Sequence, residues 1–85
     1  MVNEPTLKVY PNPTSNVINI KLIRNDITNA EVKLYNVKGQ LVLQKELNET
    51  QVNTLELGNM TEGFYILVIK NDEYNLGAHK IIIRR

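Results

Sequence analysis

Val9-Tyr10-Pro11-Asn12-Pro13-Thr14-Ser15-Asn16 is the stretch in which covalent chemistry dictates the backbone. Pro11 and Pro13 fix their own φ, and each drives the residue before it, Tyr10 and Asn12, out of the helical region. No helix runs through here. In a strand, residues 11 and 13 point their backbone the same lateral way, so one edge lacks amide donors while residues 10 and 12 still pair on the other. The stretch reads as an edge strand with one side closed against strand addition. Thr14, Ser15 and Asn16 then form a turn, because their short side chains bond nearby backbone amides.

Downstream, apolar residues recur with period two, and the turns carry Gly, Asn or Asp, which is an all-β signature. Alternation predicts strands from Val17 to Ile23, Glu31 to Tyr35, Leu41 to Leu47 and, more weakly, Val52 to Leu57, where Leu55 and Leu57 share a face. The turn Asn36-Val37-Lys38-Gly39-Gln40, with Gly39 in the left-handed position, joins the second and third of these as a hairpin. Phe64 to Ile69 is apolar on both parities, which predicts a central strand covered on both faces. Ala78 to Ile83 is the last strand, before Arg84 and Arg85. With the proline-bound edge this makes about seven short strands. Their even spacing predicts an antiparallel β-sandwich of immunoglobulin-like type.

At 85 residues the chain is one domain. Folding at this size buries only about 60–65% of the surface exposed in the unfolded chain, which leaves little wall for a deep cleft. Ten basic against nine acidic residues, interspersed, give no electrostatic case for nucleic acid or an anionic membrane. The absence of cysteine excludes disulfides, thiolate zinc sites and cysteine nucleophiles. The longest apolar run, Phe64 to Ile69, falls far short of the ~20 residues of a membrane-spanning helix. Met1-Val2-Asn3-Glu4 lacks the basic and apolar regions of a signal peptide.

Reactive constellations are not found. His79, the single histidine, shares parity with Ile81 and Ile83, which is a structural position near one end of the core face, and no Ser or Asp is spaced to complete a triad. Glu31, Glu46, Glu56 and Asp72 come from different elements. Asn25, Asp26 and Asn29 offer one carboxylate, a poor calcium loop, and read as turn chemistry. The aromatic residues Tyr10, Tyr35, Phe64, Tyr65 and Tyr74 are scattered as packing residues are. Asn48-Glu49-Thr50 and Asn59-Met60-Thr61 match the N-glycosylation acceptor, a short pattern with a high chance rate. The sequence calls for no cofactor and no metal.

Four motifs carry a resemblance: Tyr10-Pro11-Asn12-Pro13 before an alternating strand, the Tyr35 to Val42 hairpin, Gly63-Phe64-Tyr65 opening a strand, and Lys80-Ile81-Ile82-Ile83-Arg84 near the end. In this order and separation they resemble the type A C-terminal sorting domain of the type IX, or Por, secretion system of Bacteroidota. The likeness runs from about Leu7 to Arg85, with residues 1–6 as residual linker. It implies a non-catalytic address label on a covalently linked N-terminal cargo, in transit through the periplasm to the cell surface or beyond. The implied partners are the outer-membrane translocon, its shuttle proteins and a surface sortase-like cysteine protease that removes the label upstream of the domain. Nucleic acid binding and membrane insertion are not implied.

The motif residues carried over as recognition candidates are Pro11, Asn12, Pro13, Gly39, Gly63, Tyr65, Lys80, Ile81, Ile82, Ile83, Arg84 and Arg85. Chemistry alone gives several of them structural roles. Gly39 is a turn glycine, Gly63 a residue without which its turn would clash, and Tyr65 a core residue with its hydroxyl at the rim. The basic tail after three isoleucines is expected to fray and offer an extended segment for strand addition. A competing reading is an accessory or adhesive sandwich that binds carbohydrate or a neighbouring domain. Weak self-association through the last strand is left open.

Overall fold

The computed structural model describes residues 7–22, 29–47, 52–71 and 75–85. Seven strands occur in chain order: β1 (Leu7–Tyr10), β2 (Val17–Leu22), β3 (Glu31–Tyr35), β4 (Leu41–Glu46), β5 (Val52–Glu56), β6 (Gly63–Lys70) and β7 (Asn75–Ile83). They form two antiparallel sheets, a three-stranded one ordered β1-β2-β5 and a four-stranded one ordered β4-β3-β6-β7. This is the expected immunoglobulin-like sandwich. Alternation places Ile18, Ile20 and Leu55 of one sheet, with Leu57 just beyond β5, against Val32, Leu34, Leu67, Ile69, Ile81 and Ile83 of the other, all of them buried in one cluster. At ~25 cal/mol per Å² of apolar surface, each such side chain contributes about 1.5–3 kcal/mol on burial.

Three expectations are corrected. The first strand stops at Tyr10, and Pro11 to Pro13 lie outside the sheet, with cis peptide bonds at Tyr10-Pro11 and Asn12-Pro13. The chain here leaves β2 and crosses to the other sheet, where Thr14 makes a parallel bridge with Ile83. The prolines therefore mark a change of sheet and do not close the edge of β1.

The second correction concerns β6, which is central between β3 and β7 but is covered on one face only. Phe64 and Ile66 stay 50% and 43% exposed, because a two-layer sandwich has nothing to lay over its outer surface. Third, β7 starts at Asn75, three residues before the expected Ala78. Asn25, Asp26 and the acceptor pattern at Asn48 lie outside the described residues.

Candidate functional site

The two ends of the chain meet along the outer edge of β7. An edge strand presents unpaired amides and carbonyls, and here Asn12 and Thr14, which share parity, supply their partners. The Asn12 side-chain amide donates to the Lys80 carbonyl at 2.7 Å, and its Oδ1 accepts from the Ile82 amide at 3.0 Å. One residue pair further on, the Thr14 amide donates to the Ile82 carbonyl at 2.9 Å and the Arg84 amide donates to the Thr14 carbonyl at 2.8 Å. A carboxamide carries a donor and an acceptor side by side, as a peptide group does, so Asn12 extends the ladder where Pro13 has no N–H. Thr14 is itself buried, and its hydroxyl donates to the Val17 carbonyl at 2.5 Å.

The tail is not a free basic segment. The Arg85 guanidinium is an internal tie, with Nη1 donating to the Ser15 carbonyl (2.8 Å), Nη2 to the carbonyls of Leu57 (2.6 Å) and Met60 (2.7 Å), and Nε to Met60 again (3.1 Å). Its own backbone amide donates to Glu62 Oε1 at 2.5 Å. Ile81 and Ile83 are core residues, 0% and 2% exposed. What faces outward is Arg84, which shares a shallow surface depression with Pro11, Pro13 and Ser15, and Lys80, whose ammonium lies 4.4 Å from the centre of the Phe64 ring.

Tyr65 and Gly63 sit beside this strip as the cross-strand partners of Ile81 and Ile83. Tyr65 is buried, and its hydroxyl donates to the Thr61 carbonyl at 2.7 Å. A tyrosine early in the sixth strand bonding back four residues is the tyrosine corner of immunoglobulin-like sandwiches. Gly63 has φ +150°, and a Cβ there would meet nothing within 4 Å. The requirement is thus the backbone conformation and not the expected clash. Gly39, at φ +80°, closes the β3–β4 turn, in which Asn36 Oδ1 accepts from the amides of Lys38 and Gln40. It lies by the opposite edge of the sheet from β7.

Pro11, Asn12 and Pro13 are thus brought to Lys80, Ile82 and Arg84. Gly63, Tyr65, Ile81, Ile83 and Arg85 hold that arrangement from behind, and Gly39 stands apart. Sequence reasoning missed Thr14 and Glu62. The parity of Asn12 and Thr14 was the available signal for the first, whereas nothing local marks Glu62 as the partner of an amide 23 residues away.

The family model described as "Secretion system C-terminal sorting domain" matches residues 8–84. An ulvan lyase of Nonlabens ulvanivorans is 29% identical over 75 residues, 88% of this chain and 14% of the lyase. Beta-agarase D of Zobellia galactanivorans is 33% identical over 82 residues, 94% of this chain and 16% of the agarase. The chain spans about one-seventh of the length of these curated relatives. An all-β sandwich matched almost from end to end by that family model, its proline motif laced to its last strand, belongs to the C-terminal sorting domains of the type IX secretion system.

Proposed function

We propose that the domain works as a folded address label, read on the strip where its two terminal motifs meet. Pro11, Pro13, Lys80 and Arg84 form the exposed part of that strip, and Asn12 and Ile82 fix its geometry. Ile81, Ile83, Gly63, Tyr65 and Arg85 act indirectly by keeping the strip in place, and Gly39 shapes a separate turn. The partners on this reading are the translocon and its shuttle proteins, met in the periplasm. A surface sortase-like cysteine protease then cuts upstream of Leu7 and releases the cargo. The domain itself performs no chemistry. The cargo on this reading is a covalently linked N-terminal protein, and the two relatives, an ulvan lyase and a beta-agarase, suggest an enzyme.

The observation that carries this reading is the lacing of residues 12–14 to residues 80–84, which turns two short and distant motifs into one continuous surface. Its test is export of a fluorescent reporter bearing a signal peptide and this domain, in a Bacteroidota host with the secretion system. The intact fusion is expected outside the outer membrane. The paired substitution Pro11→Ala and Arg84→Ala is expected to retain the reporter in the periplasm with the domain still folded. Equal export of folded wild-type and paired variant would remove the strip as the readable feature.

A further inference from the structure

We infer that the outer face of the four-stranded sheet is a second contact surface, fitted to an export-apparatus protein that presents large apolar side chains beside carboxylates. The inference rests on the sorting reading above and adds to it a surface outside the terminal strip. Cross-strand register sets Lys80, Ile66, Tyr35 and Leu41 in one row across β7, β6, β3 and β4. Phe64 stands in the next row, opposite Ile82. Phe64, Ile66 and Leu41 are 50%, 43% and 48% exposed.

The fold does not require this apolar surface. The outer face of the other sheet bears Lys8, Asn19, Lys21, Thr54 and Glu56, and its two exposed apolar residues, Tyr10 and Val52, stand on opposite edge strands with Asn19 and Lys21 of β2 between them. Clustered exposed apolar side chains on one face are the mark of a contact surface. Its charge selects the occupant. Lys80 is the charged member of the row, its ammonium rests on the Phe64 ring, and no described carboxylate pairs with it. On the same face the carboxylates of Glu31 and Glu46 lie together at the far end, where Lys33 and Lys70 also stand and Glu31 is engaged by Gln44 and Lys33. An ammonium on an aromatic ring, with no described carboxylate against it, is complemented by a carboxylate next to an apolar side chain. The row is also continuous with the strip, because Lys80 belongs to both.

The test places a photo-crosslinking amino acid at position 66 of the exported reporter fusion, and at position 21 on the polar face for comparison. The expected result is a crosslink from position 66 to an envelope protein of the secretion system, at least about tenfold above position 21. Mass spectrometry should locate it beside acidic and apolar residues. Lys80→Glu should cut the yield about tenfold and Lys80→Arg should restore it. Ile66→Thr, which keeps strand propensity, should slow export with the thermal midpoint held. Should Ile66→Thr unfold the domain, Leu41→Thr on the edge strand serves instead.

Equal yields at the two positions, crosslinks only to a second copy of the chain or to lipid, or indifference to Lys80→Glu would overturn the inference. A fusion that is never exported would instead sink the sorting reading. Export with position 66 behaving like position 21 sinks the contact surface alone.

Discussion

Tyr65 shows how one side chain divides between two explanations. Its ring fills the core while its hydroxyl ties β6 to the loop that precedes it. Tyr65→Phe keeps the ring and leaves the Thr61 carbonyl without this donor. A net hydrogen bond contributes about 0.5–1.5 kcal/mol, so the variant should lose about 1 kcal/mol in denaturant unfolding while its reporter is exported at the wild-type rate. A large export defect in a variant that remains folded would make Tyr65 a contact residue. Arg85 shows the same division. At the end of a basic tail it reads as a charge on offer, but its guanidinium is turned inward onto backbone carbonyls, and the fixed fork of arginine is what lets one side chain reach three of them.

At the level of elements, the sealed edge of β7 contrasts with the edge of β4. Amide exchange distinguishes them. The Ile82 and Arg84 amides, bonded to Asn12 and Thr14, should exchange slowly, and Asn12→Ala should speed Ile82 by about tenfold or less, in proportion to ~1 kcal/mol of lost local stability. An unchanged Ile82 rate would mean that Asn12 is not what holds the edge. Strand existence was legible in the sequence where burial alternates, as in Glu31–Tyr35 and Val52–Glu56, whereas Leu41–Glu46 is exposed at every position but Leu43 and carries no such trace. Proline chemistry correctly ruled out a helix at residues 10–13 but could not say which strand edge Asn12 would lie against. That choice depends on Lys80 and Ile82, which are some 70 residues away. Phe64 and Ile66 misled for a different reason. Large apolar residues favour strands whether or not anything covers them, so a continuous apolar run does not distinguish a buried face from one that awaits a partner.

Across the whole molecule, both sheets share one core, and the last strand is part of it. A domain of this length has a stability of about 4–13 kcal/mol, and losing a buried isoleucine side chain costs about 2–5 kcal/mol. A chain ending at Lys80 forfeits both Ile81 and Ile83, so it should show no cooperative heat-absorption peak in calorimetry. A sharp unfolding transition in that truncation would show that β7 beyond Lys80 is dispensable to the fold. Loss of export on deleting the tail therefore cannot by itself be read as loss of a signal, and point substitutions on the surface are the informative experiment. The parallel bridge between Thr14 and Ile83 has a mechanical corollary. If a tethered cargo pulls on the front of the domain while its rear is gripped, tension falls lengthwise on the contacts joining residues 12–14 to 80–84. They must then shear as a group and cannot unzip singly, so the label resists being stretched open in the direction of haulage.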